Sequence, residues 1–232
     1  MILKATLSIC ILHMKTRNKI SVENFILTGA DFLIAIIDYG MGNLSSVFKA
    51  LKKLGADASI TASTSEIGRA DSVILPGVGN FGDGMKHLQA SGLDKAVKNS
   101  IKDGKPFLGI CLGMQLLMDE SEEAPGLPGL GIFRGKVVRF PKNALKVPHM
   151  GWNDIDIKGE NENLAGIEDG TYFYFVHSYY VKPDDSKINA ATCNYGLDFS
   201  ACIGKNNVFA TQFHPEKSQD AGLCILKNWI SG

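Results

Sequence analysis

Short aliphatic runs recur in the first half of the chain, and each is followed by a glycine-rich turn and then by apolar residues at helical spacing. The run FLIAIID at 32–38 is typical of a buried strand, and a helix is predicted after it. Asn43 is placed to cap this helix and Gly55 to end it. The apolar positions of the helix are Leu44, Val47, Phe48, Leu51 and Leu54.

The segments SVILPGVGNFG at 72–82 and PFLGICLGMQLLM at 106–118 repeat this scheme. Alternating strands and helices predict parallel strands that are joined by helical crossovers. The expected fold class is therefore α/β, with an open and mostly parallel central sheet and helices on both faces. Ligands of such folds bind beyond the carboxyl ends of the strands, where each of the glycine-rich turns falls.

The second half of the chain consists mainly of strand-like segments joined by short turns, which predicts antiparallel strands added to the parallel sheet. GKNN at 204–207 is typical of a hairpin turn, and AGLCILKNWI at 221–230 predicts a final helix. We expect one domain over residues 32–232 and an N-terminal extension of unknown role over residues 1–31. The strand-like segments are KVVRF at 136–140, WNDIDI at 152–157, TYFYFVHSYYV at 171–181, NAATCNY at 189–195, FSACIG at 199–204 and NVFATQFH at 207–214.

The composition excludes several classes of function. The 232 residues carry 24 Lys and Arg against 24 Asp and Glu, and a balanced charge argues against nucleic acid as a partner. No apolar run is long enough to cross a bilayer, and Lys4 interrupts the short apolar stretch at the N-terminus, so we expect neither a membrane anchor nor a secretory signal. The five cysteines form no CxxC pair and no cluster at metal-ligand spacing, so we expect no disulfide framework, no metal and a reducing, cytoplasmic location.

Cys111 stands between Gly109 and Gly113, where a predicted strand runs into a predicted helix. This G-x-C-x-G pattern is the cysteine counterpart of the nucleophile elbow, a sharp turn that exposes a nucleophile at the end of a strand. The dipole of the helix favours the thiolate, and the N–H of Leu112 points near the oxyanion that develops when a carbonyl is attacked. Taken alone, the pentapeptide fits equally well a small buried cysteine beside ordinary turn glycines.

Two further segments carry candidate chemistry. His214 and Glu216, two residues apart in TQFHPEKS, are a candidate base and its orienting acceptor for a cysteine nucleophile. An isolated pair of this kind is usually a surface histidine beside a solvated glutamate, and the separate elbow is what favours catalysis. LPGVGNFGDGM at 75–85 is a candidate oxyanion loop, because glycines let a peptide N–H turn toward an anion. Phosphate binding is the competing interpretation, although the loop lacks the GxGxxG and Walker patterns.

Together these segments resemble those of class I glutamine amidotransferases, and among them the glutaminase subunits of imidazole glycerol phosphate synthase. The elbow and the HPE sequence mark the wider family, whereas the first two matching segments, with MGWN and FVHSYY, are specific to the synthase subunits. No catalytic position departs from the family pattern, and the extension before residue 32 is the clear difference. The matching segments are IAIIDYGMGNLSSV, LPGVGNFGDGM, GICLGMQLL, VPHMGWN, YFYFVHSYY and TQFHPEKS.

The resemblance implies a flavodoxin-like amidotransferase domain that uses no cofactor. Cys111 would attack the side-chain amide of glutamine, and His214, oriented by Glu216, would move the protons. A glutamyl thioester would form, ammonia would leave, and water would release glutamate. The other implied positions are oxyanion-hole N–H groups at Leu112 and at Gly77 or Val78, and glutamine-binding side chains at Gln115 and Glu123.

The resemblance also implies a partner. Ammonia would pass to a cyclase subunit with a (β/α)₈ barrel, which converts a phosphoribulosyl-formimino carboxamide nucleotide into imidazole glycerol phosphate and an aminoimidazole carboxamide ribonucleotide in histidine biosynthesis. Trp152 and Lys217 match positions at the partner interface, near the mouth of the ammonia path. Four further residues are expected on the same face: His149, Tyr174, His177 and Tyr179.

Three other functions compete with this one. Another amidotransferase subunit, such as that of anthranilate synthase or of pyridoxal phosphate synthase, fits Met114 and the oxyanion loop poorly. A stand-alone cysteine hydrolase or peptidase on the same fold is the main alternative, and it predicts substantial activity without a partner. A noncatalytic binding subunit is disfavoured, because Cys111, His214 and Glu216 are all present.

Overall fold

The computed structural model describes residues 32–141 and 145–232, so the predicted extension at 1–31 lies outside the described residues. The strands are β1 Leu33–Ile37, β2 Asp57–Thr61, β3 Ser72–Gly77, β4 Phe107–Cys111, β5 Met118–Ser121, β6 Phe133–Arg139, β7 His149–Ile157, β8 Thr171–His177, β9 Tyr179–Pro183, β10 Asn189–Asn194, β11 Asp198–Lys205 and β12 Val208–Thr211. The helices are α1 Leu44–Lys53, α2 Thr64–Arg69, α3 Phe81–Ser91, α4 Leu93–Lys102, α5 Leu112–Leu116 and α6 Gln219–Ser231. Short 3₁₀ turns lie at Glu162–Leu164, Ser186–Ile188 and Pro215–Lys217.

The central sheet has nine strands in the order β2-β1-β3-β4-β12-β11-β10-β7-β8. The strands from β2 to β12 in this order run parallel, and the four that follow are antiparallel. A second, three-stranded sheet has the order β5-β6-β9. The predicted fold class, a mostly parallel α/β sheet with antiparallel strands added in the second half, is confirmed.

Apolar residues occupy both faces of the parallel strands. In β1, Ile34 and Ile36 belong to one buried cluster, which includes residues of α1 and α6. Ala35 and Ile37, which point to the opposite face, belong to a second cluster with residues of α2, α3 and α4. A strand buried on both faces reads as a continuous aliphatic run, and this is why the pattern predicted a parallel sheet.

The turn chemistry also follows the prediction. The side-chain oxygen of Asn43 accepts a hydrogen bond from the N–H of Ser46 at 3.4 Å and so caps α1. Gly55, just past the end of α1, has a φ of +79°, a conformation that glycine adopts without strain. Asn206, with a φ of +54°, lies in the hairpin between β11 and β12.

The segment TYFYFVHSYYV, which the sequence presented as one strand-like run, is two strands. β8 ends at His177 and pairs with β7, whereas β9 begins at Tyr179 and pairs with β6 in the second sheet. The chain changes sheets at Ser178, whose carbonyl accepts a hydrogen bond from the N–H of Phe140.

Within the described ranges, no helix has the length and apolar character needed to cross a membrane.

Candidate active site

Cys111 ends β4 and directly precedes α5, as the elbow pattern predicted. Its φ of +55° and ψ of −108° lie outside the usual regions for a side-chain-bearing residue, a conformation that costs about 1–3 kcal/mol. Gly113 makes this turn possible, because a Cβ atom there would overlap the backbone carbonyl of Leu75. Strain of this kind, together with a crowded glycine, is typical of a side chain held in one functional position.

The helix dipole contributes less than the sequence suggested. α5 spans five residues and is followed by β5 after Leu117, so it supplies little more than one turn of aligned peptides. The positive charge near Cys111 comes instead from the segment that follows β12.

The backbone of His214 is held by one hydrogen bond to β8 and one to the side chain of Ser218. Its N–H donates to the carbonyl of Tyr174 at 3.0 Å, and its carbonyl accepts from the hydroxyl of Ser218 at 2.7 Å. The Nδ1 atom lies 2.8 Å from Oε1 of Glu216, and the two side chains are 2% and 1% exposed. Since β12 ends at Thr211, the 3₁₀ turn Pro215–Lys217, rather than strand alternation, brings this pair together.

The charges around His214 favour its protonated form. Burial alone would lower the pKa of His214, but the Cys111 thiolate and the Glu216 carboxylate outweigh burial and raise the pKa to about 10. The Nε2 atom has no hydrogen-bond partner within the described residues, so this nitrogen is free to exchange a proton at the sulfur. The structure therefore places the Cys111 side chain, the His214 imidazole and the Glu216 carboxyl group in one buried series.

Two of the other cysteines are poorly suited to nucleophilic chemistry. Burial, reinforced by neighbouring aspartates, raises the pKa of Cys193 to about 12. Complete burial also raises the pKa of Cys202 well above its usual value. Both therefore stay protonated at neutral pH, and a protonated thiol is a poor nucleophile.

A pocket of about 230 Å³ opens at Cys111 and brings together most of the residues expected to act on substrate. Leu112 and Val78 line it, and Gly77 lies directly beside Cys111 in the register of β3 and β4. A Cβ atom at Gly77 would overlap the hydroxyl of Tyr39, so only glycine fits there. Two of the three proposed oxyanion positions, Val78 and Leu112, thus border one space next to the sulfur, and Gly77 adjoins Cys111 in the sheet.

Gln115 and Glu123 both line this pocket. The Nε2 atom of Gln115 donates to the carbonyl of Tyr179 at 3.0 Å and to Oε1 of Gln212 at 3.1 Å. Oε2 of Glu123 accepts from the N–H of Phe81 at 2.7 Å, at the start of α3. Both side chains are therefore fixed in place at the pocket, and Glu123 is not part of a solvated acidic surface.

Trp152 and Lys217 lie together on an exposed face that we call the β7–β8 face, formed by Met150, Trp152, Tyr172, Tyr174 and Lys217. The Trp152 and Tyr174 rings are 6.2 Å apart, and the Lys217 ammonium is 5.9 Å from the centre of the Tyr174 ring. Large apolar side chains are unusually exposed here, with Met150 at 62% and Trp152 at 46%.

The expectation that His149 and His177 share this face is wrong. Both are buried on the opposite side of β7 and β8, with Nδ1 of His149 3.0 Å from Nε2 of His177. Burial lowers the pKa of His149 to about 4 and that of His177 to about 3, so both rings are neutral. Strand alternation explains the error, because odd-numbered and even-numbered residues of each strand point to opposite faces.

Two residues at the site were missed by the sequence reasoning. Gln212 is fully buried, and its Nε2 atom lies 3.7 Å from Sγ of Cys111. Tyr39 is also buried, and its hydroxyl has no hydrogen-bond partner within the described residues. The available signal was a glutamine in the otherwise apolar approach to His214, in the segment VFATQFH.

The comparisons with known proteins agree with this geometry. Residues 35–230 match the family described as glutamine amidotransferase class-I. The chain therefore belongs to the class-I glutamine amidotransferase family. The solved structure of PurLQS from Thermotoga maritima superimposes with a TM-score of 0.68 over 87% of this chain and 99% of that chain, at 16% identity, and this likeness concerns the fold alone.

Similar sequences identify a narrower group. The imidazole glycerol phosphate synthase subunit HisH of Geobacter sulfurreducens is 52% identical over 202 residues, 84% of this chain and 97% of that protein. The subunit HisH of Methanosarcina acetivorans is 54% identical over 200 residues, 85% of this chain and 97% of that protein. Within the amidotransferases, the chain belongs with these HisH subunits.

Proposed function

We propose that the chain hydrolyses glutamine to glutamate and ammonia at Cys111 and supplies the ammonia to the cyclase of imidazole glycerol phosphate synthase, in histidine biosynthesis. The observation that carries the proposal is the buried series of Cys111, His214 and Glu216 beside a pocket, in a chain about half identical to HisH subunits. Free cysteines are typical of proteins in a reducing compartment, which agrees with the proposal of a cytoplasmic enzyme.

In the proposed reaction, the Cys111 thiolate attacks the side-chain carbonyl carbon of glutamine. The N–H of Leu112, with that of Gly77 or Val78, stabilises the oxyanion of the tetrahedral intermediate. His214 then gives its Nε2 proton to the departing ammonia, which leaves the glutamyl thioester. The neutral His214 next takes a proton from water, which attacks the thioester and releases glutamate, while Glu216 holds the imidazole through Nδ1 in both steps.

The substrate is held by side chains that line the same pocket as the nucleophile. Gln115 and Glu123 are the side chains we assign to the amino-acid end of glutamine, because they are fixed at the pocket wall and carry oxygen acceptors. A carboxylate and an amide oxygen suit an ammonium group. The pocket volume of about 230 Å³ is large enough for a single small amino acid.

The β7–β8 face is the docking surface we assign to the cyclase, a (β/α)₈ barrel. Its apolar side chains are exposed where a solvated sheet would carry polar ones, and Trp152 is the type of residue that anchors interfaces. Val176, two residues after Tyr174 on β8, lines the pocket, so the face adjoins the site where ammonia forms. Lys217 follows Glu216 directly, so the 3₁₀ turn Pro215–Lys217, which we call the catalytic turn, also reaches this face.

The test compares glutaminase activity of the purified chain alone with activity in the presence of the cyclase and its nucleotide ligand. We expect low activity alone and a large increase in the complex, because free ammonia is useful only when the acceptor is bound. A stand-alone cysteine hydrolase on this fold would instead show full activity without the cyclase, and that result would reject the proposal.

A further inference from the structure

Gln212 has no part in the mechanism above, yet its side chain touches the nucleophile. It is completely buried between β12 and the catalytic turn. Its Nε2 atom lies 3.7 Å from Sγ of Cys111, and its Oε1 atom accepts a hydrogen bond from Gln115 at 3.1 Å. A buried amide that contacts both the nucleophile and a side chain of the pocket wall is a candidate for holding these two side chains in place.

The direction of these hydrogen bonds is fixed by a backbone carbonyl. The carbonyl oxygen of Tyr179 can only accept, so Gln115 must turn its amide nitrogen toward Tyr179, at 3.0 Å. The same nitrogen faces Gln212, which must therefore present its oxygen to Gln115. The NH₂ group of Gln212 is left for Cys111, so the amide cannot flip without losing a hydrogen bond.

The Tyr179 carbonyl is itself fixed from a second side. Nδ1 of His177 lies 2.8 Å from this oxygen, and because His177 is neutral its single N–H is the donor to Tyr179. The Nε2 atom of His177 then accepts from Nδ1 of His149, at 3.0 Å. The two buried histidines therefore hold the carbonyl that orients Gln115, and His177 also lines the pocket.

We propose that Gln212 is a positioning residue for the nucleophile. Its Nε2–H donates to the Cys111 sulfur and stabilises the thiolate, and Gln115 with the Tyr179 carbonyl sets the orientation of the amide. A hydrogen bond to the charged form of an acid favours that form. Two side chains thus act on the Cys111 sulfur. His214 exchanges a proton with it, whereas Gln212 only donates a hydrogen bond. This proposal rests on the proposed function, in which Cys111 is the nucleophile.

The test measures the rate of Cys111 alkylation by iodoacetamide against pH in the full chain, followed by mass spectrometry of the Cys111 peptide. Gln212→Met keeps nearly the same volume and removes the donor. We expect the midpoint of the profile to lie about one pH unit higher, so that alkylation at pH values below the wild-type midpoint falls about tenfold. Gln89→Met, an exposed substitution on α3, should leave the profile unchanged.

Gln212→Glu provides a second variant, because its carboxylate can still accept from Gln115 while it repels the thiolate. We expect a larger upward shift of the midpoint than in Gln212→Met. A residue that merely fills space would leave the midpoint of a folded variant where it is, and an unchanged midpoint in Gln212→Met or a lower one in Gln212→Glu overturns the proposal. Alkylation needs neither glutamine nor the cyclase, so this outcome is separate from a failure of the proposed function.

Discussion

The substitution Glu216→Gln tests the electrostatic part of the site while keeping its shape. Glu216 accepts from His214 at 2.8 Å with both side chains at most 2% exposed, so the contact is little screened by water. A hydrogen bond to a charged group contributes about 1.5–3 kcal/mol. At about 1.4 kcal/mol per pH unit, the loss of that energy would shift the midpoint of the Cys111 alkylation profile by about one to two pH units.

The sign follows from the charge that is removed. Glu216 holds His214 in its protonated form, and the imidazolium favours the Cys111 thiolate. Without the carboxylate, thiolate forms at higher pH, so the alkylation profile of Cys111 should move up by about one to two units. At pH values below the wild-type midpoint the variant should react about ten to a hundred times more slowly, and it should approach the wild-type rate at high pH. An unchanged midpoint would refute the role given to Glu216.

Two further predictions concern stability and assembly. Gly113→Ala should destabilise the fold by about 1–3 kcal/mol or more in chemical denaturation, because the added Cβ meets the Leu75 carbonyl. Gly68→Ala is the control, because its added Cβ meets nothing within 4 Å, and it should be neutral or stabilise the fold by up to about 1 kcal/mol. Trp152→Ala should weaken binding of the cyclase at least thirtyfold in a titration, as expected for a central aromatic anchor that contributes about 2 kcal/mol. Ile60→Ala, at the other edge of the sheet, is the matched control, and equal losses for both variants would contradict the assigned docking face.

The sequence pattern predicted those features of the structure that depend on residues close together in the chain. The double-sided aliphatic strands, the cap at Asn43 and the elbow at Cys111 all follow from spacing and turn chemistry. The partnership of His214 with Glu216 was also visible, because the two residues are two positions apart.

The rest of the site depends on contacts between distant segments. Nothing in the alternation of TYFYFVHSYYV shows that the chain changes sheets at Ser178, although this break is what brings the Tyr179 carbonyl to Gln115. The contact between Gln212 and Cys111 joins residues 101 positions apart. Both depend on which strands pair, which hydrophobic periodicity does not specify.

The central claim is that Cys111 releases ammonia from glutamine for use by the cyclase. The most direct measurement follows Cys111→Ala in complex with the cyclase, with glutamine or with ammonium salt as the nitrogen source. We predict that the variant loses glutamine-dependent formation of product and release of glutamate, while ammonia-dependent formation of product continues at the wild-type rate. Continued release of glutamate from glutamine by the Cys111→Ala complex would contradict the account.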